Sequence, residues 1–302
     1  MNYLNDIKEL IGNTPILKLN NIGNRKGINI FAKLEFMNPG GSVKDRIGEY
    51  MIKEAENEGK LKKGSTIIEA TAGNTGIGIA MAALNRGYRL IFVVPEKFSI
   101  EKIAVMKALG AEIVLTPLED GMKGAMSKAS ELLNSIDGAI TLNQFENLAN
   151  PKAHYETTGR EIYDALNGQI DYFVAGAGSG GTFSGVAKYL KEMNPNIKTF
   201  IADPIGSTMG GGEEGCYKIE GIGNNFIPAT LDLNLVDGFI KISDDEAFEM
   251  SKMLAKNEGL LVGSSSGAAL SATLKLAEKI EAGNIVTIFP DRGDRYLSKG
   301  LY

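Results

Sequence analysis

The sequence predicts an α/β protein built on parallel sheets of βαβ units, with helices on both sheet faces. Short β-rich apolar runs alternate with segments of helical length, and clusters of the 37 glycines stand just after several of those runs. The length of 302 residues allows about two domains with a sizeable core.

Ile28 to Leu34 reads as the first strand, and Lys44 to Glu58 as the helix after the turn at Asn38-Pro39-Gly40-Gly41. Thr66 to Ala70 and Leu90 to Val94 are strands bracketing a helix from Asn74 to Arg86 that is rich in Ala and Ile. A helix from Ile100 to Leu109, a strand from Glu112 to Leu115 and a helix from Met122 to Leu133 continue the alternation. Asn147 to Pro151 reads as a connection between subdomains. Beyond it come the strand Tyr172 to Ala175, the helix Thr182 to Met193 and the strand Thr199 to Asp203. Pro204 to Gly215 and Gly221 to Pro228 are loops by composition; the helices Asp244 to Asn257 and Ser266 to Ile280 and the strand Ile285 to Phe289 close the series.

Composition excludes several classes of function. The 32 basic and 37 acidic residues are interspersed, which gives no footprint for nucleic acid or acidic lipid, and no apolar run approaches the roughly 18 residues of a membrane span. One cysteine, Cys216, and one histidine, His154, exclude an internal disulfide framework, a multi-thiolate metal site and a multi-histidine zinc site. No metal is expected. Met1 to Leu10 lacks the pattern of a targeting segment, and the cytoplasm is the expected compartment.

In parallel sheets ligands bind beyond the carboxyl ends of strands, where these glycines lie. Thr71-Ala72-Gly73-Asn74-Thr75-Gly76 follows a strand and opens a helix, a place where backbone N–H groups and the helix dipole favour an anion. The competing reading is a helix cap. Gly176 through Thr182 likewise precedes a helix and suits a phosphate. Gly176, Gly178 and Gly181 also fit G-x-G-x-x-G, and Asp203 ends the next strand about 20 residues on, so an NAD-dependent dehydrogenase is an alternative from another class. The three hydroxyls of Gly263-Ser264-Ser265-Ser266-Gly267 suit a cap or a ligand contact. Lys44 stands where a turn meets a helix N-terminus, a poor site for a cation. A lysine there gains from losing its charge, as a Schiff-base lysine must; the competing reading is a solvated surface lysine.

Taken in order, Gly-Gly-Ser-Val-Lys44-Asp-Arg, the Thr71 to Gly76 loop, Gly178-Ser-Gly-Gly-Thr182 and Gly263-Ser-Ser-Ser-Gly267 resemble the pyridoxal-phosphate β-replacement enzymes of the cysteine synthase and cystathionine β-synthase family. The resemblance runs from Ile11-Gly12-Asn13-Thr14-Pro15 to Phe289-Pro290-Asp291. It implies two three-layer open twisted sheet domains of the tryptophan-synthase-β-like class (pyridoxal-phosphate fold type II). A smaller mobile substrate-binding domain, 41–147, would be inserted into a larger cofactor-binding one, 1–40 plus 148–302. A homodimer is also implied, as are small amino-acid substrates.

By the same resemblance Lys44 forms the internal aldimine and moves the Cα proton. Asn74 hydrogen-bonds the cofactor's ring oxygen; Gly178, Ser179, Gly180, Gly181 and Thr182 hold its phosphate; and Ser265 contacts the pyridine nitrogen. Thr71, Ala72, Gly73, Thr75 and Gln144 grip the substrate carboxylate. The implied reaction takes O-acetylserine, serine or cysteine through an aminoacrylate and adds a thiol amino acid, giving cystathionine or lanthionine, with hydrogen sulfide released from cysteine. Cysteine synthase, using free sulfide, is the alternative. Ala72 in place of the family's usual serine, and Glu220-Gly221 in place of Gln-Gly, lean toward the larger nucleophile; Glu220 is a candidate for binding its ammonium. His154 is expected to be structural. Neither a haem-binding N-terminal segment nor a C-terminal regulatory module is present, so haem and adenosylmethionine control are not expected.

Overall fold

The computed structural model describes residues 3–23, 25–71, 73–96 and 100–302. The chain divides into two compact units, Met1–Ile11 with Lys44–Ala149, and Gly12–Val43 with Asn150–Tyr302. The resemblance places residues 1–40 in the larger unit, whereas residues 3–11 belong with the smaller one, where Lys8 Nζ donates to Leu84 O at 2.8 Å, a tie between positions too distant in sequence to be read from it.

The smaller unit carries a parallel three-stranded sheet, β3 (Thr66–Ala70), β4 (Arg89–Pro95) and β5 (Glu112–Thr116), in that order. Ile68, Ile91 and Val93 pack on Ala125 and Ala129 of α4 (Gly121–Ser135), while Phe92 turns to the opposite face, toward α2 (Asn74–Ala83). Helix α3 (Ile100–Ala108) supplies Met106 on the α2 side. Helix α1 (Lys44–Asn57) packs on α2 through two glycines. A Cβ on Gly48 would lie 2.3 Å from Gly78 O, and one on Gly78 would lie 2.3 Å from Lys44 O. Backbone meets backbone there, which no larger residue permits.

The larger unit holds a six-stranded sheet in the order β1-β2-β9-β6-β7-β8, parallel except for β1. Its strands are β1 (Ile16–Lys18), β2 (Ile28–Leu34), β6 (Tyr172–Gly176), β7 (Lys198–Pro204), β8 (Gly238–Ile242) and β9 (Gly283–Phe289). Val174, Ala202 and Ile285 face a core shared with α8 (Asp244–Glu258) and α9 (Ser264–Ala277). Phe173, Ile201 and Val286 face the other core, with α6 (Arg160–Ala165) and α7 (Gly181–Met193). Each unit is thus a three-layer α/β sandwich.

Two strands, β1 and β8, lie where the sequence carries no strand pattern. Three residues are too few to show a period, and Gly238 opens β8 with a residue that disfavours strands. The expected connection at Asn147 to Pro151 is in fact the start of α5 (Ala149–Ala153), which runs through a π-helical turn (His154–Gly159) into α6. Pro151 is tolerated in the first turn of α5, where its missing N–H needs no intrahelical partner. Among the described residues no helix is long and apolar enough to cross a membrane.

Candidate active site

Three helices that follow the glycine clusters, α2, α7 and α9, have glycine at the N-cap (Gly73, Gly180 and Gly263) and no side-chain capping bond from that position. Helix α8, with no such cluster, has a full capping box from Ser243 and Glu246. The clustered helices therefore present first-turn N–H groups that their caps do not consume.

In the smaller unit, Lys44 is the first residue of α1, and its carbonyl sits at the Gly78 crossing. The Thr71 loop continues β3 by donating Thr71 N–H to Val93 O at 3.1 Å. Thr71 Oγ1 accepts the Gly76 N–H at 3.1 Å, so the capping reading holds for that one hydroxyl. A Cβ on Gly76 would meet Met106 Sδ at 2.4 Å, which fixes how deeply the loop sinks. Asn74 opens α2, and buried Thr75 donates its hydroxyl to Gln144 Oε1 at 2.8 Å, bringing together two residues far apart in sequence. Ala72 lies outside the described residues.

In the larger unit, the loop from β6 to α7 is clamped from outside. The carbonyl of Ala177 accepts from Gly223 N–H at 2.8 Å, that of Gly178 from Asn224 Nδ2 at 2.6 Å, and that of Ser179 from the Thr230 hydroxyl. In a trans peptide the N–H points opposite to the C=O. Three successive carbonyls held by outside donors thus turn the N–H groups of Gly178, Ser179 and Gly180 the other way, ahead of the free turn at Gly181 and Thr182. That donor set suits a phosphate monoester. The glycines are sterically required: a Cβ on Gly178 would lie 2.3 Å from Gly221 O, and one on Gly181 would lie 2.0 Å from Asn150 Oδ1. Gly180 has φ +84°, the left-handed region.

Beneath this loop lies a layer in which the sequence predicts a structural role for His154 and none for Asn150. Asn150 Nδ2 donates to Ser179 Oγ at 2.9 Å. His154, fully buried in the π-turn, has Nε2 at 3.1 Å from Thr182 Oγ1 and Nδ1 at 2.9 Å from Thr158 Oγ1. The only sequence signal was a lone histidine after Asn150-Pro151.

Ser265 is buried in the first turn of α9. Ser264 accepts the Glu220 N–H at 3.1 Å, so this hydroxyl anchors a neighbouring loop. Gly221, at φ +86°, has its carbonyl against Gly178, and the Glu220 carboxylate is paired with Lys299 Nζ. Glu220 and Gly221 are thereby tied both to the phosphate-type loop and to α9. Asp203, the would-be ribose ligand, is buried and bound to Lys241 Nζ at 2.6 Å and Gly210 N–H at 3.0 Å. Its Oδ2 is thus held between β8 and the loop after β7.

A lysine at a helix start in one unit, and a phosphate-type cradle at a helix start in the other, are features that a pyridoxal-phosphate-dependent enzyme needs. The chain belongs to that family: the model described as "Pyridoxal-phosphate dependent enzyme" matches residues 7–291. It is 53% identical to the O-acetylserine dependent cystathionine beta-synthase of Bacillus subtilis (strain 168), covering 100% of this chain and 99% of the relative. It is 50% identical to a cysteine synthase of Helicobacter pylori (strain ATCC 700392 / 26695), covering 100% of both. A hydrogen sulfide-producing enzyme from Fusobacterium nucleatum superposes with a TM-score of 0.94 at 46% identity, covering 98% of this chain and 99% of that one. The cofactor is pyridoxal phosphate, and the nicotinamide reading is set aside.

Proposed function

We propose that this enzyme replaces the β-substituent of an L-amino acid, O-acetylserine, serine or cysteine, with a thiol amino acid, forming cystathionine or lanthionine. The observation that carries the cofactor's place is the outward clamping of the Ala177, Gly178 and Ser179 carbonyls, which leaves an N–H cradle for its phosphate. Gly178 through Thr182 would hold that phosphate, Asn74 the ring oxygen and Ser265 the ring nitrogen. When bound, pyridoxal phosphate supplies an aldehyde carbon and a ring that spreads the electron pair left at Cα.

The Lys44 amine would hold the cofactor and, once the substrate amino group replaces it there, the freed Nζ would take the Cα proton. Thr71, Thr75, Gln144 and the loop amides at Ala72 and Gly73 bind the substrate carboxylate and orient the Cα–H bond. As that bond breaks, its electron pair expels acetate, hydroxide or sulfide from Cβ. The incoming thiolate bonds to Cβ, and Lys44 returns the proton to Cα. A hydroxyl at Ser265, unlike a carboxylate, would not keep the ring nitrogen protonated, which would favour loss at Cβ.

Glu220 binds the ammonium of the second substrate, and its pairing with Lys299 means that this ammonium competes with or displaces an internal cation. The names of the B. subtilis and F. nucleatum proteins support thioether formation and sulfide release, respectively. Cysteine synthesis from O-acetylserine and sulfide is the second reading, supported by the H. pylori relative. The enzyme works as a cytoplasmic homodimer.

The test supplies each donor with homocysteine, cysteine or sulfide and identifies products by mass spectrometry. Cystathionine or lanthionine as the faster product supports the first reading; cysteine formed faster from sulfide replaces it with the second.

A further inference from the structure

Glu69 is a buried carboxylate at the carboxyl end of β3, two residues before Thr71. Its Oε2 accepts from Thr141 Oγ1 at 2.9 Å, Leu142 N–H at 3.0 Å and Asn143 N–H at 3.4 Å. These three donors immediately precede Gln144.

The backbone around Glu69 shows what this carboxylate does. Ile140 pairs with β3 as a single parallel bridge, giving its N–H to Thr66 O at 3.0 Å and accepting Ile68 N–H at 2.8 Å. A continued parallel ladder would send the Leu142 N–H to Ile68 O. It goes instead to the Glu69 side chain, and the pairing ends after one bridge. The segment then turns at Asn143, which has φ +44°, an uncommon conformation for a residue with a side chain. Glu146 and Asn147 N–H groups close that turn onto Asn143 O, at 3.1 and 3.0 Å. The next side chain out of the turn is Gln144, whose Oε1 receives the Thr75 hydroxyl.

We propose that Glu69 is the positioning residue for substrate-carboxylate recognition, its side chain replacing a ladder acceptor so that the 141–144 segment leaves the sheet and delivers Gln144 to Thr75. The proposal rests on the reading of Gln144 and Thr75 as substrate-binding. One residue so placed registers both walls of the pocket, because Thr71 follows it in sequence and Gln144 hangs from its carboxylate.

The test compares wild type, Glu69→Asp, Glu69→Gln and Gln144→Ala as pyridoxal-phosphate holoenzymes. Each is titrated with O-acetyl-L-serine, L-serine and L-cysteine, and half-saturation is read from the visible absorption. Glu69→Asp withdraws the carboxylate by about 1.5 Å, one carbon–carbon bond. It is expected to raise half-saturation about tenfold for the tightest donor, leave pyridoxal-phosphate affinity within about twofold, and speed hydrogen exchange at the Leu142 and Asn143 amides. Glu69→Gln, which keeps an acceptor oxygen at full reach, gives the smaller rise. A folded Glu69→Asp enzyme with unchanged half-saturation and unchanged exchange overturns the proposal. Should Glu69→Asp fail to fold, Thr141→Val, which removes one donor, is expected to give about a threefold rise, and no rise overturns the proposal equally. If Gln144→Ala itself leaves half-saturation unchanged, the underlying assignment of Gln144 falls; if only Gln144→Ala raises it, the role of Glu69 alone falls.

Discussion

His154 Nε2 lies 3.1 Å from Thr182 Oγ1, and the same ring's Nδ1 lies 2.9 Å from Thr158 Oγ1, so one fully buried imidazole spans the π-turn and the first turn of α7. A π-turn adds a residue to a helix and commonly marks a functional site. Here it sets the ring under a residue of the phosphate-type cradle. His154 is a positioning residue for the Thr182 hydroxyl in this account.

The two ring nitrogens can be separated by substitution. Gln in place of His154 carries its amide near the Nε2 position, and Asn carries it near Nδ1. His154→Gln is therefore expected to bind pyridoxal phosphate within about threefold of wild type, and His154→Asn about tenfold more weakly, one hydrogen bond lost. Equilibrium titration of the apoenzyme by cofactor absorbance measures both; equal losses in the two variants would make the ring a packing element only.

Gly78 carries the crossing that seats Lys44. A methyl group there would stand 2.3 Å from Lys44 O, with backbone on both sides and no flexible side chain to yield. Gly78→Ala should destabilise the smaller unit by about 3 kcal/mol, the upper range for overpacking, and lower turnover by shifting α1. Thermal unfolding and steady-state kinetics on the same preparation check this. A variant of wild-type stability and activity would mean that the two helices separate freely.

Gly178→Ala tests the cradle in the same way, because the added Cβ would lie 2.3 Å from Gly221 O. Cofactor affinity should fall by at least about a hundredfold, the equivalent of two hydrogen bonds. Asn224→Ala, which frees the Gly178 carbonyl, should give a smaller loss in the same titration.

Glu69 also predicts a pH dependence. Burial pushes its carboxyl above the ordinary glutamate value of 4.5, against the three hydrogen bonds that pull it down. With the folded pKa above the unfolded one, its contribution to stability is fully present below about 4.5 and is lost as pH rises through the folded value. Relative to wild type, Glu69→Gln should then have a higher melting temperature at pH 8 than at pH 4. Melting curves whose difference does not change with pH would contradict the shift.

Much of this was legible in the chain because the chemistry is local. Strands such as Ile28–Leu34 and Thr66–Ala70 were readable to the residue from apolar runs bounded by turns, and the glycine clusters announced the helix starts. What escaped is non-local. Lys299 pairs with Glu220 and Thr141 with Glu69 across 79 and 72 residues of sequence, and no spacing rule relates such positions. Glu69 in particular reads as one polar residue in a strand. Only the fold reveals that its carboxylate ends a ladder. The π-turn was hidden for a similar reason: it lies where Gly159 and Gly185 allow close packing between helices, a Cβ on Gly185 falling 2.2 Å from Pro151 O.

The central claim, that Lys44 carries the cofactor, is tested most directly by borohydride reduction of the pyridoxal-phosphate-loaded enzyme, followed by proteolysis and mass spectrometry. The account predicts a phosphopyridoxyl group on the peptide containing Lys44, with cleavage blocked at that residue and no such group after Lys44→Ala. Modification of a different lysine, or an unmodified Lys44 in a fully loaded enzyme, would contradict it.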